Sequence, residues 1–349
     1  MSVVIVTGSC GLVGSESVKF FCEKGFDVVG IDNNQRKFFF GSDGDTTWVK
    51  KDLTRNYKNY FHFNKNIENY FSIEKIFKKY KKSIKLIIHS AAQPSHDLAK
   101  IMPMTDFKTN ALSTVHLLEL TKKYCPQSPF IFMSTNKVYG DNPNFLPLKE
   151  GKTRWFVNRK NKFSRGIDES MSIDNCVHSL FGVSKAYADL AVQEYGKNVG
   201  LKTVCFRAGC ITGPMHSGAK LHGFLSYLVK SCITKKKYTI IGYKGKQVRD
   251  NIHSSDLIQC FWHYFKRPRP GEIYNIGGGK MSNCSVLEAL KLVELLKKIK
   301  IKTKYLKQNR IGDHIWYISN INKFKKHYPK WSQKYNNLKI MKELIDNFS

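Results

Sequence analysis

A glycine-rich turn placed directly after the first apolar run constrains the fold of this chain more than any other feature. Residues 3–6 form a β-branched run of strand length, and Thr-Gly-Ser-Cys-Gly-Leu-Val-Gly follows at residues 7–14 and opens an amphipathic stretch. Asp32 closes the second apolar run, about 20 residues further on. Glycines at these spacings permit a tight turn, a close approach of backbone to a pyrophosphate and tight packing of helix on strand. The sequence therefore predicts a dinucleotide-binding βαβ unit.

The charges around this turn favour one kind of dinucleotide. The N-terminus of the following helix offers unpaired N–H groups and the positive end of its dipole to phosphates. The Asp32 carboxylate suits a ribose diol and repels a 2′-phosphate, so we expect NAD rather than NADP as the cofactor. Arg36 is a nearby residue that would suit the phosphate instead.

Strand-length apolar runs alternate with helical patterns through the first half of the chain. Further strands are predicted at residues 26–31, 86–89, 130–133 and 203–206, and helices at residues 12–22, 72–82, 107–124 and 182–199. Such alternation is typical of parallel βαβ units with right-handed crossovers. The predicted fold class is α/β, a Rossmann-type doubly wound parallel sheet with a smaller C-terminal α/β substrate domain.

The predicted domains follow from where this rhythm stops. We expect an NAD-binding Rossmann domain over residues 1–206, in which residues 141–177 form a long insert near the site. Residues 207–349 are expected to form mainly the smaller substrate-binding domain, with residues 240–262 returning to the Rossmann domain.

Composition limits the partners and the compartment. The 58 lysines and arginines against 27 aspartates and glutamates give a formal net charge of +31, which favours anionic ligands. The lysines are spread along the chain without a nucleic-acid-binding motif, so we expect no nucleic acid partner. The nine cysteines form no Cys-x-x-Cys pair, which indicates reduced thiols and no metal site. With neither a leader-like start nor an apolar run of spanning length, the prediction is a cytoplasmic protein without membrane attachment.

Further motifs, in this order along the chain, make the sequence resemble the extended short-chain dehydrogenase/reductases, the NAD-dependent epimerase/dehydratase family. Besides the glycine-rich turn they are His-Ser-Ala-Ala-Gln at 89–93, Asn110, Ser-Thr-Asn-Lys-Val-Tyr-Gly at 134–140, Phe206-Arg207, Gly213-Pro214, Arg249-Asp250, residues 275–279 and residues 310–313.

Within that family the chain is most similar to the CDP-paratose 2-epimerases, through residues 91–97, 134–140 and 242–250. The resemblance implies a tightly held NAD and a nucleotide-sugar substrate, CDP-linked by preference, in which carbon 2 is inverted by transient oxidation to a ketosugar. It also implies a homo-oligomer, dimer or tetramer, paired through helices near Asn110 and Lys185.

The resemblance also assigns the catalytic residues, and the chain departs from the pattern at one of them. Thr135 matches the hydroxyl residue that hydrogen-bonds the reacting oxygen, and Lys185 matches the lysine that orients the nicotinamide ribose. The tyrosine of the family stands four residues before that lysine, where this chain has Phe181. Phenylalanine has no proton to donate or accept.

Three hypotheses account for Phe181. Another group transfers the proton, for which the candidates are Lys185, Tyr139, His178, Asp168 and Glu169. Alternatively, a relayed water does so at reduced efficiency, or the protein binds NAD and a nucleotide sugar without turnover.

The remaining site residues are assigned by the same resemblance. The cofactor-binding residues are Gly8, Cys10, Gly11, Leu12, Val13, Gly14, Asp32, Asn33, Asn66, Ile67, Ala91, Ala92, Gln93, Asn110 and Lys185. The substrate-binding residues are Gln93, Ser95, His96, Thr135, Asn136, Lys137, Cys210, His222, Arg249, Arg310 and Asp313. Cys210 and Asn66 stand where many members of the family have asparagine and aspartate.

Three other functions stay open for this sequence. A nucleotide-sugar 4-epimerase would use the same residues. A dehydratase normally has an Asp-Glu pair after the catalytic threonine, where this chain has Asn136-Lys137. The third possibility is the catalytically weakened binding protein.

Overall fold

The strands of the first half form one parallel sheet. The structure is a computed structural model that describes residues 2–216, 223–309 and 312–348. Its strands are β1 (Val3–Thr7), β2 (Asp27–Ile31), β3 (Tyr60–Phe63), β4 (Ile84–His89), β5 (Phe130–Thr135), β6 (Leu148–Glu150), β7 (Trp155–Val157), β8 (Thr203–Ala208), β9 (Cys210–Thr212), β10 (Tyr238–Ile241), β11 (Val248–His253), β12 (Glu272–Ile276), β13 (Asn283–Ser285), β14 (Thr303–Leu306) and β15 (Trp316–Tyr317). Within the described ranges, seven of them pair in parallel in the order β12-β8-β5-β4-β1-β2-β3. The predicted doubly wound Rossmann-type sheet is confirmed.

Helices cover both faces of this sheet. They are α1 (Leu12–Glu23), α2 (Gln35–Phe40), α3 (Thr47–Asn56), α4 (Tyr70–Tyr80), α5 (His96–Ile101), α6 (Pro103–Phe107), α7 (Ser113–Tyr124), α8 (Leu180–Lys197), α9 (Phe224–Ile233), α10 (Ser254–Lys266), α11 (Val286–Lys297), α12 (Asn322–His327) and α13 (Asn337–Phe348). β1 is buried along its whole length, and its alternate side chains point into two separate apolar cores. Sheets covered on both faces are typically apolar along the entire strand, as this one is.

The helix predicted over residues 107–124 is interrupted by a wider turn. A π-helical segment, Lys108–Leu112, joins α6 to α7, and its Thr109, Asn110 and Ala111 are buried. Single π turns inside helices are frequent at functional sites.

The C-terminal part adds smaller sheets. β11 pairs antiparallel with β13 and parallel with β15 and β9, while β10 pairs with β14. Residues 240–262 were expected to return to the Rossmann domain, but β11 belongs to a small sheet. The segments that return are α10, which packs on α1, and β12, which extends the central sheet beside β8. The sequence pattern missed this because the pairing of β12 with β8, which lies far away in the chain, leaves no local pattern.

The long insert is ordered around a short hairpin, β6–β7. Its apolar side chains Val157, Phe163 and Ile167 pack against Trp316 and Tyr317, the residues of β15. The insert therefore rests on the small sheet of the C-terminal part. Among the described residues, no helix combines the length and the apolar character needed to cross a bilayer.

Candidate functional site

A cavity of about 490 Å³ lies at the carboxyl ends of the central strands. It is lined by the residues that follow β1, β2, β4, β5 and β8, and on its far side by α9, β10 and the first part of β11. In open parallel sheets, ligands bind at this edge where the strand order reverses, which here is between β1 and β4. The cavity therefore lies at the edge of the sheet where ligands bind in this kind of fold.

The glycine-rich turn forms the floor of the cavity. Gly8 has φ +68°, and its N–H donates to Ile31 O over 2.8 Å. A Cβ on Gly14 would lie 2.0 Å from Gly8 O, so a larger residue there would push α1 off the turn. Gly8, Gly11, Leu12, Val13 and Gly14 all line the cavity, and the N-terminus of α1 opens into it. The space kept free by these glycines fits a pyrophosphate.

Asp32 stands at the end of β2 as predicted. Its carboxylate accepts hydrogen bonds from Cys10 N over 2.9 Å and from Asn34 N over 2.7 Å. Burial raises the pKa of Asp32, and the two backbone donors and Arg36 oppose that rise. Asn33 and Arg36 also line the cavity, whereas Cys10 contributes only its backbone to Asp32.

A buried network supports the wall after β4. Asn66, Ile67, Ala91 and Ala92 line the cavity. Predicted residues Gln93, Ser95 and Asn110 are buried behind it. Gln93 N donates to Asn110 Oδ1 over 2.9 Å, and Gln93 Nε2 donates to Asp106 Oδ1 over 2.8 Å. In this structure these three residues shape the wall rather than face the cavity.

Thr135, Phe181 and Lys185 line the same stretch of the cavity. Thr135 Oγ1 accepts from Lys137 N over 3.2 Å. Lys185 is buried, its Nζ donates to Met133 O over 2.7 Å, and the ammonium lies 4.1 Å from the centroid of the Phe132 ring. Burial lowers the pKa of Lys185 to about 8. The predicted catalytic residues are therefore brought together, with a phenyl ring in place of a phenol.

His96 lies directly beside that phenyl ring. The rings of His96 and Phe181 meet edge to face with centroids 4.9 Å apart. His96 Nδ1 is 2.6 Å from Ser179 Oγ. Among the described titratable residues that line the cavity, His96 is the one in ring contact with Phe181.

Four of the proposed substitutes for the tyrosine lie elsewhere. Tyr139 is fully buried, donates to Asn275 Oδ1 over 2.7 Å and accepts from Arg207 over 3.1 Å. His178 hydrogen-bonds Ile173 O, and Glu169 accepts from Asn275 N. Asp168 caps its own exposed turn at Ser170. None of the four lines the cavity, so the geometry does not support Tyr139 as a catalytic residue.

The far side of the cavity carries the predicted nucleotide-binding residues. Arg249 forms an ion pair with Asp313, and both line the cavity together with Asn136, Lys137 and Cys210. Lys137 Nζ donates to Gly312 O over 2.8 Å. Arg310 and His222 lie outside the described residues. A guanidinium at this place presents a rigid fork to phosphate oxygens.

Sequence reasoning missed several lining residues of this far side. They are Phe224, Leu225 and Tyr227 on α9, Tyr238, Thr239 and Ile241 on β10, and Gln247. Their apolar spacing is that of ordinary core residues, so the sequence carried no signal that separates them from the core.

A family model described as the NAD dependent epimerase/dehydratase family matches residues 4–277. That is more than half of the chain, and the chain belongs to this family. It is an NAD-dependent enzyme of the nucleotide-sugar epimerase/dehydratase class, as the resemblance predicted.

Individual relatives place the chain within that class. It is 30% identical over 299 residues to CDP-paratose 2-epimerase of Salmonella typhi, covering 83% of each chain. It is 26% identical to dTDP-glucose 4,6-dehydratase of Salmonella typhimurium over 79% of this chain and 72% of that protein. UDP-glucose 4-epimerase of Thermotoga maritima has the same fold, with a TM-score of 0.77 over 99% of this chain and 98% of that chain, at 23% identity.

Proposed function

We propose that the protein inverts carbon 2 of a CDP-linked hexose or dideoxyhexose. The observation that carries the proposal is that Thr135, Lys185 and Arg249 line one cavity with the glycine-rich turn. The similarity to a CDP-paratose 2-epimerase supports the choice of carbon and of nucleotide.

The chemistry explains why the reaction needs a redox cofactor. A carbinol C–H is not acidic, so direct removal of that proton is too slow to invert the carbon. When bound, NAD supplies a hydride acceptor and donor, so the carbon can pass through a planar ketone and return in the other configuration.

The side chains then bind, orient and move protons. Thr135 Oγ1 hydrogen-bonds the reacting oxygen and holds it at the Phe181–Lys185 wall. The buried ammonium of Lys185 stabilises negative charge that develops on that oxygen. Arg249 exchanges Asp313 for the pyrophosphate of the substrate, which leaves the sugar free to turn while the nucleotide stays fixed.

The test is product analysis in deuterated water. Purified protein with NAD is incubated with CDP-paratose, CDP-glucose, UDP-glucose and dTDP-glucose, and the products are identified by NMR. We expect the 2-epimer of a CDP-sugar without deuterium at the inverted carbon, because the hydride never exchanges with solvent. Solvent deuterium at that carbon would contradict the mechanism, and the absence of any turnover would contradict the proposed activity.

A nucleotide-sugar 4-epimerase is the second candidate, supported by the likeness of fold to UDP-glucose 4-epimerase. Conversion of UDP-glucose in the same experiment distinguishes it. A dehydratase is disfavoured because Asn136 and Lys137 stand in the cavity in place of an Asp-Glu pair.

We further propose that the enzyme is a homodimer. An apolar strip is exposed along α5, α6 and α8, and it consists of Ile101, Met104, Phe107, Val183, Tyr187 and Leu190. Exposed patches of this kind mark interaction surfaces. A second copy of the chain is the proposed occupant, because α8 also holds Lys185 and α6 leads into the π-helical segment that holds Asn110. The family resemblance implies pairing near these two residues. The nine free thiols support a reducing compartment such as the cytoplasm.

A further inference from the structure

The site has lost a proton-transferring phenol but keeps the shape of its surroundings. Phe181 is 7% exposed, lines the cavity and lies one helical turn before Lys185 on α8. The oxidation of an alcohol releases a proton together with the hydride, so some group beside Thr135 has to accept that proton. Phenylalanine cannot do so.

His96 is the residue that reaches this position from another element. It is the first residue of α5, and its imidazole lies edge to face with Phe181, with ring centroids 4.9 Å apart. Gly312 closes the other side, where an added Cβ would lie 2.8 Å from His96 Nδ1. The imidazole is therefore held between α8 and the segment that carries Asp313.

The orientation of the imidazole is fixed by Ser179. Ser179 Oγ is 2.6 Å from His96 Nδ1 and accepts from Gly182 N over 3.1 Å as the N-cap of α8. A hydroxyl oxygen has two lone pairs, so it can accept from Gly182 N–H and from Nδ1–H together. In that tautomer the lone pair of the ring is on Nε2.

Four other titratable groups of the described cavity wall are engaged or distant. Lys185 Nζ donates to Met133 O, and a charged ammonium has no lone pair to accept a proton. Asp313 is paired with Arg249, and Asp32 is bound by Cys10 N and Asn34 N at the end of β2. His216 lies beside Ser226 of α9, on the far side of the cavity.

We propose that His96 is the proton-transferring residue that replaces the missing tyrosine, which rests on the proposed function. In the forward half, His96 Nε2 takes the hydroxyl proton as the C–O bond becomes a carbonyl, and NAD, when bound, would supply the acceptor for the hydride of the same carbon. In the return half the imidazolium gives its proton back to that oxygen as the ketone is reduced from its opposite face. The sum leaves protein and cofactor unchanged.

The test combines removal with replacement. His96→Gln removes the titrating nitrogen and keeps a polar side chain of similar reach, and the double variant His96→Gln/Phe181→Tyr supplies the phenol that the chain lacks. His116→Gln, on α7 outside the cavity wall, is the matched control. Epimerisation of CDP-paratose by the holoenzyme, the Kd for NAD and the rate at which diethyl pyrocarbonate modifies His96 with and without CDP-paratose are measured. The modification is located by peptide mass.

We expect His96→Gln to lower kcat by about 100-fold or more with an unchanged Kd for NAD, which is the usual range for loss of a general base. The double variant should recover at least about tenfold of that loss, His116→Gln should behave like wild type, and CDP-paratose should protect His96 from modification. Turnover by His96→Gln close to that of wild type would overturn the proposed role of His96 but leave the proposed function standing. The same holds for a loss of kcat that the double variant does not rescue, or for modification of His96 that CDP-paratose does not slow. An inactive wild type would overturn the proposed function and this role together.

Discussion

Lys185 is a buried cation whose charge is costly to the fold. Its pKa falls from 10.5 to about 8 mainly because burial disfavours the charged form. The hydrogen bond from Lys185 Nζ to Met133 O recovers part of that cost. Lys185, which serves the proposed chemistry, therefore lowers the free energy of unfolding of the chain.

Lys185→Met is expected to separate stability from activity. Methionine fills similar space without charge, so the free energy of unfolding at pH 7 should rise by about 1–3 kcal/mol, while kcat falls by about 100-fold or more. Denaturant titrations and initial rates measure the two effects. A variant that is both less stable and fully active would contradict this account of the ammonium.

The lowered pKa of Lys185 also predicts how the stability gained by Lys185→Met depends on pH. Below pH 8 the lysine is protonated in both the folded and the unfolded chain, so the cost to the wild type is present in full. Between about 8 and 10.5 the unfolded chain binds a proton that the folded chain has lost, so the stability of the wild type rises relative to the variant. The difference in unfolding free energy should therefore narrow between pH 7 and pH 10.

Asp32 is expected to set the choice between NAD and NADP. Asp32→Asn keeps an acceptor for the backbone donors and removes the charge that repels a 2′-phosphate, beside Arg36 in the cavity wall. The ratio of the Kd values for NADPH and NADH should fall by about tenfold, which corresponds to about 1.4 kcal/mol. Asp27→Asn, on the same strand outside the cavity wall, is the control and should leave the ratio unchanged.

Residues within contiguous motifs were predictable from the sequence, and contacts between distant segments were not. The glycine-rich turn and Asp32 follow strands, and Thr135 ends β5, so their places follow from the parallel sheet. Lys185 lies in the second turn of α8, within the motif that carries the family resemblance. Tyr139 was one of several candidates for proton transfer, but its partners Arg207 and Asn275, which bury it, are far away in sequence. The contact of His96 with Phe181 joins residues of two separate helices and left no local pattern.

At the level of elements, the long insert supports the cavity from behind. Asn144 joins the insert to the segment that carries the cavity residue Asp313. Its Nδ2 donates to Asp313 O over 3.0 Å, and its Oδ1 accepts from Ile315 N over 2.7 Å. None of residues 141–177 lines the cavity within the described chain. The sequence showed that this segment is long and polar, but its hairpin and the small sheet on which it rests depend on pairing that no local pattern encodes.

Asn144→Ala is expected to weaken substrate binding through this link. Loss of the two hydrogen bonds loosens the segment that carries Asp313, and about 1 kcal/mol corresponds to a rise in KM of about fivefold with little change in kcat. Asn142→Ala is a matched control, because the Asn142 amide bonds Ser172 O and Asp174 O inside the insert. Equal KM values for the two variants would contradict the link.

At the level of the whole molecule, the apolar strip along α5, α6 and α8 should hold two copies together. Phe107 is 44% exposed and Tyr187 is 49% exposed, and their rings are neighbours on α6 and α8. Phe107→Glu places a charge in the proposed interface, where an unpaired charge is costly. Sedimentation should change from dimer to monomer, while Leu295→Glu, at another exposed apolar side chain on α11, should stay dimeric.

The π turn at Lys108–Leu112 lies where the exposed strip and the cavity wall meet on one stretch of helix, because Phe107 belongs to the strip and Thr109 lines the cavity. A π turn contains one residue more than an α-helical turn, and one residue rotates the following helix by about 100°. The added residue lets Thr109 face the cavity while Leu117 and Leu118 of α7 stay in the core. Deleting one residue here would restore a regular helix, but it would turn either Thr109 away from the cavity or Leu117 and Leu118 out of the core and into solvent. The π turn therefore accommodates one inserted residue within the helix itself, and the register of the sheet is unchanged.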